Sequence, residues 1–103
     1  VALSLAIRKY TNLNKSIQNP IKDYIAAISC GIVKNEVLVD LDYSEDSIAE
    51  VDANFVITQK SGFSEVQATG EENTFNKNEL LEMMEKVELV SEKIFKIQKD
   101  AVA

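Results

Sequence analysis

The sequence predicts an α+β fold, a four-stranded antiparallel sheet packed by helices, in the order helix, four strands, long C-terminal helix. Three observations carry this. Apolar residues recur at three- and four-residue steps through the last quarter of the chain, the period of a helix lying on an apolar surface. Four β-branched or alternating segments fill the middle and are separated by turn-forming residues. The opening ten residues are rich in Ala and Leu, a helix-forming composition. With 103 residues, 46% of them hydrophobic, three glycines and one proline, the chain is sized for one domain, or part of one, with a modest core.

Val1 to about Tyr10 reads as a helix ending before the polar stretch TNLNKSIQNP, which Pro20 closes. Tyr24 to Val33 is an apolar run expected to be a strand buried on both faces, although periodicity alone does not separate it from a buried helix. Lys34-Asn35 fits a tight turn into Glu36 to Asp40, making a hairpin. Val51 to Thr58 alternates, with Ala53, Phe55 and Ile57 on one face and Asp52, Asn54, Val56 and Thr58 on the other. Ser61-Gly62 turns the chain back into Phe63 to Thr69. These strands are expected to form an antiparallel meander whose second and third members are joined by an acidic loop. Asn76 caps the last helix, with Glu79 at the third helical position. Leu80, Met83, Met84, Val87, Val90, Ile94, Ile97 and Ala101 then form the stripe that faces the sheet. The two methionines are read as core, since both lie within that stripe.

Charge is distributed unevenly. Glu36, Asp40, Asp42, Glu45, Asp46, Glu50 and Asp52 fall in one segment, and no Lys or Arg lies between Lys34 and Lys60. Outside that segment 10 acids face 11 bases, so the net charge of −6 is local. Unpaired carboxylates crowded at a strand end repel one another unless a cation binds or their proton affinities rise. An EF-hand is excluded. Asp40, Asp42, Ser44 and Asp46 mimic its first ligands, but Glu45 stands where its turn needs Gly and Val51 where it needs a bidentate Glu. The chain has no His, which excludes Ser-His hydrolysis and imidazole-held zinc. The lone Cys30 lies in an apolar run and reads as a buried, inert thiol. No apolar run approaches the roughly 20 residues of a membrane helix, and no basic leader precedes one; the expectation is a cytoplasmic protein with no membrane contact.

The order of residues says more than their count. DLDYSEDSIAEVD (Asp40 to Asp52) resembles the acidic signature of the RNase PH family, phosphorolytic 3′ to 5′ exoribonucleases. NPIKDYIAAISCGIV (Asn19 to Val33) resembles the strand that approaches this signature, and GFSEVQATGEENTF (Gly62 to Phe75) resembles the strand and turn that follow it. The opening VALSLA is similar to the start of the family's central helix. The resemblance covers nearly the whole chain, in order and without large insertions. There are departures: Ile48 stands where the family often has Arg, and Ala68 and Glu72 where glycines are usual.

The resemblance implies half of an RNase PH-like domain, of the ribosomal protein S5 domain 2-like type, with residues 1–103 as its C-terminal portion. It assigns catalysis and metal binding to Asp40 and Asp46, the first and last Asp of DLDYSED. Two carboxylates suit Mg²⁺, which takes one or two protein oxygens and fills its other positions with water and phosphate oxygens. The co-substrate is inorganic phosphate, and the arginines that grip it are expected in the preceding half; Arg8, the only Arg here, reads as a solvated helix residue. Asp42, Glu45, Glu50 and Asp52 are assigned to supporting work. The implied activity is trimming of tRNA precursor 3′ ends by a homo-oligomer, a hexameric ring built as a trimer of dimers, with this portion inactive alone. Two alternatives predict otherwise. One is a non-catalytic scaffold subunit of an exosome-type ring. The other is an acidic domain binding a basic partner, in which neutralising any of the seven acids has a similar, graded effect.

Overall fold

A computed structural model describes residues 1–103. Helix α1 spans Ala2–Leu13, strands β1 Ile25–Val33 and β2 Glu36–Val39 follow, then a short helix α2 over Tyr43–Ile48, strands β3 Val51–Thr58 and β4 Gly62–Gly70, and helix α3 over Lys77–Val102. Lys34 and Asn35 both have positive φ, 51° and 66°, the turn whose twist matches a two-residue hairpin between β1 and β2. Asn76 and Glu79 form the reciprocal cap expected at the start of α3.

The core lies between one face of the sheet and α3. Ala26, Ile28, Cys30 and Ile32 of β1 join Ala53, Phe55 and Ile57 of β3 against Met83, Val87 and Phe95. The faces of β3 are those the alternation predicts. The buried ridge of α3 advances in four-residue steps, Met83, Val87, Ser91 and Phe95, so Ile97 turns away from the sheet and is 67% exposed, contrary to its place in the predicted stripe. Ser91 is tolerated in that ridge because its hydroxyl donates to Glu88 O at 2.7 Å. Burial pushes the Cys30 thiol up to about 11, which keeps it protonated and inert at neutral pH.

The sheet is not the meander the sequence predicts. Its order is β2-β1-β3-β4, with β1 antiparallel to both β2 and β3. The β2–β3 connection must therefore cross β1. It does so on the face opposite α3, at Gly31, where an added Cβ would lie 2.7 Å from Leu41 Cδ1 and 2.7 Å from Val51 O. The second face of β1 is consequently covered only beneath this crossing; Ile25 and Ala27 remain exposed, so β1 is not buried on both faces along its length.

The crossing carries α2, where the sequence reading has only a loop. Asp42 caps it: its Oδ1 accepts from Glu45 N at 2.8 Å, while Glu45 Oε1 accepts from Asp42 N at 3.0 Å. The Ser44 hydroxyl also donates to Asp42 Oδ1, at 2.7 Å. The Glu45 amide, then the Ser44 hydroxyl, hold the Asp42 carboxyl below its ordinary 3.8. Helix α1 buries no residue, and Leu13 is 80% exposed.

Three outcomes are expected. Phe55→Ala should destabilise the fold by about 3–5 kcal/mol in denaturant unfolding, because a fully buried ring leaves a cavity. Gly31→Ala should cost about 1–3 kcal/mol by pushing Leu41 off β1, while Ala27→Ser, on the exposed part of the same strand, should cost little. Because the Asp42 pKa is depressed on folding, its capping contribution is present above 3.8 and is lost as pH falls below that value. The Asp42 carboxyl carbon should titrate below 3.8 by NMR as α2 frays.

Candidate active site

The open face of the sheet is polar where the acidic segment meets it. Register aligns Ser29 of β1 with Asn54 of β3, and Asn54 with Gln67 of β4. The next row places Gly31, Asp52 and Thr69 side by side. These residues have the parity opposite to Cys30, Ala53 and Phe55, so they look away from the core.

Asp40 directly follows β2, beside the Ser29 row. Its amide donates to Ser29 O at 2.8 Å, continuing the ladder by one bond. Its φ of 61° is left-handed, a conformation Asp tolerates better than most residues. The extended geometry that would put Asp40 and Asp42 on one face therefore stops at Asp40, and Asp42 instead becomes the cap of α2. Asp46 sits in the first turn of α2, with its amide bonded to Asp42 O at 2.9 Å.

Two cavities share this part of the sheet. The larger, about 630 Å³, takes Asp40, Ser29, Asn54, Gln67 and Glu65 into its lining together with Ile28, Phe55 and, from α3, Val90 and Ile94, so it reaches the α3 side of the sheet as well. The smaller, about 360 Å³, is lined by Asp46, Asp42 and Asp52 together with Ser29 and Asn54. Asp40 and Asp46 thus line neighbouring cavities that share the Ser29–Asn54 pair. No three acidic, Cys or His side chains stand together as a ready-made metal cage. The donor set instead offers two exposed carboxylates, the number Mg²⁺ takes when substrate and water supply the rest, so the residues fit that ion in chemistry.

Of the remaining acids, Asp42 and Glu45 are engaged in the cap of α2. Glu50 acts through its main chain, its amide donating to Ile32 O at 2.9 Å and its carbonyl accepting from Glu71 N at 3.0 Å. Asp52 lines the smaller cavity together with Asp46. Ser29, Asn54 and Gly31 were not singled out from sequence. Only the alternation of β3, which puts Asn54 on the face of Asp52, signalled any of them.

Comparison with known proteins gives the family. The family described as "3′ exoribonuclease family, domain 2" matches residues 23–86, well over half of the chain. A protein of Bacillus cereus named Ribonuclease PH is 45% identical over 103 residues, covering 99% of this chain and 42% of its own length. One of Methylobacterium radiotolerans with the same name is 45% identical over 85 residues, 82% of this chain and 36% of its own length. The chain thus spans less than half the length of these relatives. The match encloses the sheet, the crossing at Gly31 and both candidate aspartates, and the chain belongs to the 3′ exoribonuclease family.

Proposed function

We propose that the protein to which this chain belongs is a phosphorolytic 3′ to 5′ exoribonuclease that trims tRNA precursor 3′ ends and releases nucleoside diphosphates. Family membership supports the reaction class, and the names of the relatives point to the same enzyme. The observation that supports the assignment to this surface is that Asp40 and Asp46 line two cavities that have Ser29 and Asn54 in common.

In this reading an oxygen of inorganic phosphate attacks the last phosphodiester of the RNA. The bond to the 3′-oxygen of the penultimate nucleotide breaks, and the terminal nucleotide leaves as its diphosphate. Asp40 and Asp46 would hold Mg²⁺, which supplies charge neutralisation for the phosphate oxygens when bound. The protein's own contribution is positioning. Asp40 is fixed by its amide bond to Ser29 O, and Asp46 by the cap that Asp42 and Glu45 form at the start of α2. Ser29 and Asn54, which line both cavities, carry uncharged donors and acceptors, the kind of group that orients a sugar hydroxyl without adding repulsion to a phosphate.

Residues 1–103 are read as the C-terminal portion of one RNase PH domain, inactive by itself. The arginines that bind the attacking phosphate are assigned to the rest of the protein, which is taken to work in the cytoplasm as a hexameric ring. No helix is long and apolar enough to cross a membrane.

Asp40→Asn and Asp46→Asn in the full-length protein should each reduce phosphate-dependent diphosphate release by at least roughly 100-fold, since each removes charge at the reacting phosphates. Glu36→Gln, at the far side of the hairpin, should change it less than about threefold, a shift under about 1 kcal/mol. Equal, graded losses at all three positions would favour the basic-partner reading, and a folded, RNA-binding protein without release would favour a scaffold.

A further inference from the structure

The cations of this acidic chain also converge, at the opposite end of the sheet. Arg8 of α1, Lys22 of the link before β1 and Lys60 of the β3–β4 turn line one concavity of about 250 Å³. Lys99, in the last turn of α3, lies 5.9 Å over the ring of Tyr24, which lines the same concavity. The arrangement is held in place by the main chain. The Lys60 ammonium donates to Lys22 O at 3.2 Å, and the Arg8 guanidinium donates to Val102 O.

These cations outnumber their counter-charge, three lining the concavity against one carboxylate. The chain has 17 acids, yet its one ion pair is Lys86–Glu82, remote from this end. The single carboxylate in the concavity, Asp23, is occupied with the main chain: Oδ1 accepts from Tyr24 N at 2.7 Å and Oδ2 from Lys60 N at 2.9 Å. Three cations against one carboxylate leave a net positive field in a concave surface, which attracts anions. Asn19 adds a free amide NH₂, because its Oδ1 is taken by Ile21 N at 3.0 Å.

We propose that this concavity is a phosphodiester-binding site that holds RNA backbone upstream of the 3′ end processed at the aspartates. The proposal rests on the exoribonuclease reading above for the identity of the polyanion. Geometry argues against free phosphate as the occupant. Asp52 and Thr58, near the two ends of β3, are separated by about 20 Å at about 3.3 Å per residue, so an ion bound here could not attack at Asp40 or Asp46. A continuous RNA strand spans that gap.

The test uses the full-length protein and its Lys22→Gln, Lys60→Gln and doubly substituted forms. All are exposed side chains, and unchanged thermal unfolding would show that the fold is retained. Affinity for an RNA with an unpaired 3′ end is measured across a salt series. Each substitution should weaken binding roughly threefold near ~0.1 M salt and lower the slope of log K against log salt by about 0.7, while Lys60→Arg should retain both. Unchanged affinity and slope in the double variant would overturn the site. So would a raised KM for inorganic phosphate with unaltered RNA binding, which would mean that the concavity takes the free ion. If the unsubstituted protein shows the lysine-dependent slope yet releases no diphosphate, the site stands and the exoribonuclease reading falls.

Discussion

The crossing of the β2–β3 connection over Gly31 is the constraint on which the rest of the structure depends. Because β1 pairs with both β2 and β3, the chain leaving β2 must pass across the sheet to begin β3. The face that carries α3 is filled by Met83, Val87 and Phe95, so the crossing uses the other face, and the missing side chain at position 31 lets Leu41 descend onto β1. Everything acidic is carried with it. Asp40 marks the point of departure with its left-handed φ, the Asp42–Glu45 cap turns the chain into α2, and Asp46 is delivered beside Asp52. A backbone decision thus places carboxylates over a polar sheet surface instead of leaving them on a loop free to move apart.

Electrostatics gives the chain two unlike ends. Acids gather near the crossing, while Arg8, Lys22, Lys60 and Lys99 gather about the start of β1 and the β3–β4 turn. Local neutralisation would have been easy with this composition, and it is largely absent. Such a separation suits a polyanionic substrate, drawn by distributed cations and processed where carboxylates can recruit a divalent ion. On the proposed reading a net charge of −6 does not oppose RNA binding, since net charge matters less than where the charge sits.

Local signals in the sequence were legible and non-local ones were not. The cap at Asn76 and the alternation of Ala53, Phe55 and Ile57 depend on neighbours in the chain, and both read correctly. The motif DLDYSED also read correctly as the family's, because an ordered run of residue types is specific in a way that acidity is not. Sheet order depends on which strands pair with β1, and no periodicity encodes that; the meander was the wrong arrangement for this reason. Helix α2 was missed although Asp42 and Glu45 have capping-box spacing, because six residues are too few to display an apolar stripe. Ser91 and Phe95 were missed because the buried ridge follows four-residue steps where the apolar residues drift. Ser29 and Asn54 carry no charge and announce nothing alone. Their pairing on the open face emerges only from register.

The central claim is that inorganic phosphate, and not water, cleaves RNA at the acidic face. The most direct measurement is the identity of the product released from the 3′ end of an unpaired RNA by the full-length protein, with and without inorganic phosphate. Nucleoside diphosphate that appears only when phosphate is supplied, with the phosphate label retained in the product, is the predicted result. Nucleoside monophosphate released equally well without phosphate would contradict it.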